Sequence, residues 1–479
     1  MQERIVRCIA SGQDVAVVMP TGGGKSLCYQ LPASVSDGTA IVISPLLALM
    51  QDQVAQLTRM GIAAAAINSA TPAGEQSKIL KTAVAGGYRL LYLAPERLVR
   101  ADTLSWLSRV PVSFFAIDEA HCISEWGHEF RPEYRQLSSL KEMFPDRPIA
   151  AFTASATRQV RHDILQQLRM RQPAKFIASF HRPNLRYLVK KCDAATQLRM
   201  LTTTLKEYRG ENTIVYVPTI QAVEDTVEVL RKKGIESVPY HGQMQSSERR
   251  RNQERWMDDE VPVLVGTLAF GLGINKPSVR AVIHLSLPKS VEQYYQEAGR
   301  AGRDGREADC VLLWQGKDAG LLAFFANQVQ DPRERQNAWN RYNAIRTFVD
   351  EPTCRHRSIC LHFGETPKWD RCGMCDVCGP APNWFGGSAL PAAPPSPVTK
   401  PAVEASTALV LHMKKWRWER SKTESVPPFV ILHDTTLVEI CKRRPATIAS
   451  LLSVPGIGER KAELYGSAIL EALASFEAR

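Results

Sequence analysis

The chain holds no unbroken apolar run of the length that crosses a membrane as a helix, and its opening, MQERIVRCIASG, lacks the apolar stretch of a secretion signal. The two absences together predict a cytoplasmic protein without a membrane span. Cysteine is sparse, eleven in 479 residues, and with no secretion signal this usage points to a reducing compartment. Three of the eleven, Cys372, Cys375 and Cys378, lie so close together that a metal is favoured over disulfides. Acidic residues are also in deficit: 49 Asp and Glu stand against 60 Lys and Arg, a formal charge of +11. That balance calls for an anionic partner. Residues 406–479 hold eleven basic against eight acidic side chains, residues 331–380 eight against seven, and 381–405 balance. The remaining +7 lies in residues 1–330, so the excess is no mere basic tail.

What the chain does contain is an alternation of short apolar runs with amphipathic stretches of helical length. DVAVVMP (14–20), TAIVISP (39–45), YRLLYLAP (88–95), VSFFAID (112–118) and IAAFTAS (149–155) read as buried strands. A second series follows: NTIVYVP (212–218), ESVPYH (236–241), VPVLVGT (261–267), VRAVIHLSLP (279–288) and ADCVLLW (308–314). The pattern predicts an α/β chain of two tandem parallel-sheet units, residues 1–190 and 191–330, joined near 180–205. A helical, cysteine-bearing module over 331–380, a Pro/Ala-rich linker over 381–405 and a small all-α module over 406–479 complete the expected order.

The first chemical element is VVMPTGGGKSLCYQ, a strand, a glycine turn and a helix start. Gly22, Gly23 and Gly24 let backbone N–H groups close around a phosphate that side chains would keep away. Lys25 is placed to reach β and γ phosphates, Ser26 offers a hydroxyl to Mg²⁺, and the helix N-terminus adds its positive end. Met19 stands where the usual pattern has its first glycine. The second element is Asp118–Glu119 at the end of an apolar strand, where ligands bind in open α/β sheets. An Asp there can hold Mg²⁺, and a Glu beside it can polarise an attacking water. A rival reading takes His121, Cys122 and His128 as zinc ligands, against which stands the adjacency of the first two. The third element, YYQEAGRAGRDG (294–305), is expected at the start of a helix. Arg300 and Arg303 lie three apart there and can face a γ-phosphate from the second unit.

With MPTGGGKS, ISPLLALMQDQV, LLYLAPERL, DEAHCISEWGHEFRPEY, AFTASAT, TLAFGLGINKPSVRAVIHLSLP and YYQEAGRAGRDG in this order, the chain resembles superfamily 2 helicases of the RecQ family from residue 2 to about 380. The resemblance implies two RecA-like domains, ATP-driven 3′-to-5′ translocation and unwinding of DNA. It implies Lys25, Asp118, Glu119, Gln296, Arg300 and Arg303 as the catalytic set. It also implies nucleotide binding by Gln2 and by Thr21, Gly22, Gly23, Gly24, Lys25, Ser26 and Asp118. Trp126, His128, Phe130 and Arg131 match the family's aromatic-rich loop that senses single-stranded DNA, with Glu125 where the family usually has Gln. Flat aromatic faces suit that task because any base can stack on them. Cys354, Cys372, Cys375 and Cys378 match the family's zinc module; an iron–sulfur run would want a fourth cysteine just before a proline, where Gly379 stands. The tail, with VPGIGERK (454–461), resembles an HRDC module, a helical nucleic-acid-binding or protein-contact domain. The family's winged-helix domain, expected after the zinc module, has no counterpart between Gly379 and residue 406. The implied cofactors are ATP, Mg²⁺ and Zn²⁺. The implied partners are single-stranded and tailed or branched duplex DNA on the nucleoid, with a single-strand-binding protein alongside. An RNA-directed helicase and an ATP-gated DNA-binding or annealing protein are the alternatives.

Overall fold

The computed structural model describes residues 1–68, 71–98, 100–127, 129–267, 276–385, 407–424 and 428–477. Two wholly parallel sheets carry the front of the chain. The first contains β1 (Val15–Val18), β2 (Thr39–Ile43), β3 (Ala64–Ile67), β4 (Leu90–Leu93), β5 (Val112–Ile117), β6 (Ile149–Thr153) and β7 (Ala174–Ile177). Their spatial order is β3-β4-β2-β5-β6-β1-β7. The second contains β8 (Leu185–Lys191), β9 (Asn212–Tyr216), β10 (Ser237–Tyr240), β11 (Val263–Gly266), β12 (Val279–His284) and β13 (Ala308–Trp314), in the order β10-β11-β9-β12-β13-β8. Helices cover both faces, so the central strands are buried on both sides and read as unbroken apolar runs. The order matters for chemistry. It sets β5, β6 and β1 side by side, in register Ile117 to Ala151 and Val18 to Thr153, so the loops leaving their C-terminal ends open into one crevice.

The helices Gly316–Gln328 and Pro332–Asp350 pack as a hairpin ahead of the helix Arg355–His362 and the cysteine loop. Arg158 donates through Nη2 to the Gly364 carbonyl (2.7 Å), and Phe180 N–H to Glu365 (2.8 Å); Asp376 N–H donates to the Tyr187 carbonyl at 3.0 Å. The cysteine-bearing module thus touches both sheet domains. Of the expected linker, Phe385 is buried in the core of the second sheet domain, and residues 386–405 lie outside the described residues.

The tail folds around its own core, with Leu409, Met413, Leu437, Ile440, Leu451 and Ile469 buried together. It sits against the second sheet domain along a charged seam. Lys422 reaches Asp258 (3.2 Å) and Glu260 (2.7 Å), Arg417 reaches Asp259 (3.6 Å), and Lys414 reaches Glu211 (3.6 Å). Lys414, Arg417 and Lys422 follow helical spacing along Thr407–Glu424, so one face of that helix carries the seam. Lys442 and Arg443, basic residues of the tail, pair with Glu439 on their own helix.

Candidate active site and nucleic-acid interface

The loop after β1 is shaped by glycines whose backbone other residues rarely adopt. Gly22 and Gly24 have left-handed φ of 81° and 82°, and a Cβ on Gly24 would meet Gln2 Nε2 at 2.2 Å. Gln2 Nε2 donates to the Gly23 carbonyl (3.0 Å), so Gln2 reaches the loop as expected. Met19, in place of a glycine, is buried beneath the turn; a Cβ on Gly23 would strike its Cγ at 2.6 Å. Lys25 Nζ donates to the Met19 carbonyl at 3.1 Å, and burial lowers its ammonium pKa despite Glu119 and Asp118 nearby. Ser26 lies in the first turn of the following helix, and its Oγ accepts from Gln53 Nε2 at 2.9 Å.

Asp118 and Glu119 follow β5, beside this loop. Asp118 is buried, and burial followed by the charge of Glu119 pushes its carboxyl up to about 7. Its carboxylate accepts from Ser44 Oγ (3.3 Å) and Glu119 N–H (3.0 Å), while its carbonyl accepts from Tyr134 O–H (3.0 Å). Glu119 has a left-handed backbone (φ 46°), a conformation that costs a non-glycine residue about 1–3 kcal/mol and gathers at functional sites. His121, buried behind it, approaches Glu119 through Nδ1 (3.3 Å) and Glu129 through Nε2 (3.7 Å). Burial opposes protonation of His121, but Cys122 and the two carboxylates outweigh it and raise its pKa. His121 thus links the acid pair to Glu129 of the aromatic loop, and with Cys122 and Glu129 it gathers possible ligand atoms within 4.8 Å of one another. Sequence reasoning did not assign the link to Glu129, and no local pattern marks it.

Arg300 and Arg303 lie past the C-terminal end of the helix Val291–Ala298, not at a helix start. Gly299 ends that helix and Gly302 (φ 55°) turns the chain back, which swings the arginines across to the first domain. A Cβ on Gly22 would meet Arg303 Cγ at 3.1 Å, so the loop glycine and the arginine stem pack directly. Burial, then Arg300 and Arg182, lower the Arg303 guanidinium to about 9. Gln296 Nε2 donates to Ser155 Oγ, in the loop after β6, at 2.8 Å. Between the domains lies a cleft of about 840 Å³ lined by Thr21, Gly22, Lys25, Ser26, Asp118, Glu119, Gln296, Arg300 and Arg303. Gln53, Ser155 and Arg182 were missed. Gln53 sits in ISPLLALMQDQV, where the polar spacing on a helix was the available signal.

The segment after the acid pair forms a tight loop. A Cβ on Gly127 would strike the carbonyls of His121 (2.8 Å) and Ser124 (3.0 Å), and Trp126 stands 47% exposed at its tip. Phe130 and Arg131 are half-buried, and His128 lies outside the described residues. Glu125 pairs with Arg135 at 2.7 Å, and Arg135 also lies 5.5 Å over the Phe130 ring, so the extra carboxylate has a basic partner just past the loop.

The thiols of Cys354, Cys372, Cys375 and Cys378 lie within 4.8 Å of one another. Cys378 Sγ is 3.4 Å from Cys372 Sγ and 3.2 Å from Cys375 Sγ. A tetrahedral zinc with bonds of about 2.3 Å separates its sulfurs by about 3.8 Å, so the four fit that ion with small adjustment. A Cβ on Gly379 would meet the Gly373 carbonyl at 2.1 Å, and its N–H donates to the Cys375 carbonyl at 2.9 Å. A side chain, and with it a fourth cysteine, is therefore excluded from that position.

Two parallel-sheet domains set a phosphate loop, an acid pair and an arginine pair around one cleft, the arrangement of the helicase fold class. Four family descriptions match: DEAD/DEAH box helicase over residues 1–163, helicase conserved C-terminal domain over 195–305, RecQ zinc-binding over 316–379 and HRDC domain over 406–473. The ATP-dependent DNA helicase RecQ of Haemophilus influenzae is 42% identical over 386 residues, 81% of this chain and 62% of that protein. The Bacillus subtilis protein of the same name is 32% identical over 568 aligned positions, 99% of this chain and 96% of its own. The chain belongs to the RecQ family. It spans about three fifths of the length of the Haemophilus relative, and the Bacillus alignment, longer than this 479-residue chain, contains positions the chain lacks. Yeast Dbp5 bound to RNA and ADP BeF3 shares the fold, with a TM-score of 0.53 at 18% identity over 73% of this chain and 87% of that one.

Proposed function

We propose that the protein is an ATP-dependent 3′-to-5′ DNA helicase, hydrolysing ATP in response to single-stranded DNA and unwinding duplexes in repair or recombination. The observation that carries this reading is the cleft: Lys25, Arg300 and Arg303 face Asp118 and Glu119 from two separate domains. Such a site suits a polyanion that holds the domains together until it is cleaved. Ser26 and Asp118 would hold the Mg²⁺ that neutralises phosphate oxygens, Lys25 the β and γ phosphates, and Glu119 the attacking water. Arg300 and Arg303 would stabilise charge developing on the transferred group, and Gln296 would report closure through Ser155. The four cysteines would hold Zn²⁺. ATPase rates with no nucleic acid, single-stranded DNA and RNA test the reading. A rate that RNA raises more than DNA, or that neither raises, overturns it.

Trp126 would stack on bases, and the bridge Glu129–His121–Glu119 would carry strand occupancy to the acid pair. Trp126→Ala is therefore expected to keep basal ATPase while stimulation by single-stranded DNA falls about tenfold, the scale of one lost base stack. Equal loss of basal and stimulated rates would mark Trp126 as a packing residue.

The partner is DNA, single-stranded and tailed or branched duplex, in the cytoplasm and alongside single-strand-binding protein. The tail contributes less charge to DNA than its composition suggests, because Lys414, Arg417 and Lys422 face acids of the second sheet domain. Removing residues 406–479 is expected to lower the salt slope of DNA binding by no more than about one unit. Lys422→Glu should loosen the seam, seen as a larger radius of gyration at low salt, and Glu260→Lys should restore compactness. Equal radii for all three chains would show that the seam does not hold the tail.

A further inference from the structure

Arg182 lies in the short segment that joins the two sheet domains, between Ile177 at the end of β7 and Leu185 at the start of β8. Its guanidinium spans the cleft. Nη1 donates to the Thr21 carbonyl, in the phosphate loop, at 3.3 Å. Nη2 donates to the carbonyls of Ala301 (3.4 Å) and Gly302 (3.3 Å), in the turn between Arg300 and Arg303. One planar fork thus ties the phosphate loop to the arginine turn, from the segment that joins the two domains and would act as their hinge. Asn184, two residues on, fastens the same turn through Nδ2 to the carbonyls of Gly302 (2.8 Å) and Arg306 (2.9 Å). A Cβ on Gly302 would meet that nitrogen at 2.5 Å, so the hinge is fitted closely to the arginine turn.

All three acceptors of Arg182 are uncharged carbonyls. Among the described residues no carboxylate forms an ion pair with it, whereas Arg186, Arg280 and Arg355 each have an Asp partner. The presence of Arg182 also contributes to the low pKa of Arg303, after burial and Arg300. The hydrogen bonds give the geometry of a latch between the phosphate loop and the arginine turn.

We infer that Arg182 is a positioning residue for ATP hydrolysis, which sets Arg300 and Arg303 against the phosphate loop when the domains close. The inference rests on the reading of this cleft as an ATP site. It separates two properties that a simple folding role would change together. ATP affinity depends chiefly on the first domain's loop, which Arg182 touches at a single carbonyl. Turnover depends on where the arginines stand, and a displacement of about 1 Å at such a centre can cost about a hundredfold in rate.

The test is steady-state ATPase with saturating single-stranded DNA on the full chain, for Arg182→Ala, Arg182→Lys, Arg303→Ala and the double variant Arg182→Ala/Arg303→Ala. The expected result for Arg182→Ala is kcat lowered at least about tenfold, with KM for ATP within about twofold and melting temperature unchanged. Lysine should recover only part of kcat, because one ammonium cannot reproduce a fork that reaches both loops. The double variant should be no slower than Arg303→Ala alone, as two residues acting through one group are not additive. Small-angle scattering with a non-hydrolysable ATP analogue should show compaction in the wild type and less of it in Arg182→Ala. Unchanged kcat, full rescue by lysine, multiplicative losses in the double variant, or a fall in melting temperature that accounts for the rate would each overturn the inference. A wild-type chain that hydrolyses no ATP would strike the ATP reading itself, which is a different failure.

Discussion

Glu119→Gln should bind ATP as tightly as the unmodified chain and hydrolyse it at least about a hundredfold more slowly, since a positioned general base contributes about 10²–10⁴ in rate. The substitution keeps size and hydrogen-bonding shape, and it leaves Asp118 with its Ser44 partner and buried position intact. The backbone need not move either. The left-handed turn at Glu119 is held from outside its side chain, by its N–H on Asp118 and by Cys122 N–H on its carbonyl at 2.9 Å. Lys25→Ala gives the complementary pattern. The ammonium lies at the base of the phosphate loop, and the arginines approach from the other domain, so no neighbour can take over its contact. Loss of hydrolysis by about a thousandfold with weakened ATP binding is the expected outcome. Binding measured with a fluorescent nucleotide, together with turnover, separates the two variants. Retention of most activity in either would remove the site assignment.

The parts of this architecture that showed in the sequence are those whose physics is local. Central strands such as VSFFAI and ADCVLLW are buried on both faces and must be apolar throughout. The strands that escaped, β3 (AAAI), β7 (AKFI) and β8 (LRYLVKK), all lie at sheet edges. An edge strand can carry charge at its margin, and β8 does: Arg186 pairs with Asp309 of β13, and Lys190 donates to the Phe385 carbonyl. The phosphate loop, the acid pair and the cysteines were legible because their chemistry needs fixed residue types at fixed spacing. The turn holding Arg300 and Arg303 was misplaced on a helix start, although Gly299 and Gly302 were there to end the helix. Contacts such as Arg182 to Thr21, Gln296 to Ser155 and Lys422 to Glu260 join residues more than a hundred positions apart. They depend on how domains meet, which no window of sequence encodes.

Removal of zinc should disturb far more than one loop. A structural zinc site supplies about 10–16 kcal/mol of apparent binding energy that is folding energy at neutral pH. Here the thiols close a loop whose Asp376 N–H bonds Tyr187 on β8, and whose Asp376 carboxylate accepts from buried Arg355 at 3.0 Å. Further along the same module, Glu365 accepts from Phe180 N–H in the hinge, and Phe363 stacks on Phe180 with ring centroids 4.3 Å apart. The carbonyls of Phe363 and Gly364 accept from Arg161 and Arg158 of the first domain. Without the ion, four thiols crowded within 4.8 Å have no cation to hold them, and the anchors on both domains lose their support together. Cys375→Ser, at a cysteine that is 1% exposed, is expected to lower the melting temperature by more than about 10 °C and to reduce DNA-stimulated ATPase with it. Chelation of the unmodified chain should do the same, reversed on adding zinc but not iron. Elemental analysis should find one zinc per chain and no visible cluster absorption. A brown preparation, or a Cys375→Ser chain that melts at the unmodified temperature, would show that the cysteines hold something else or hold nothing that the fold needs.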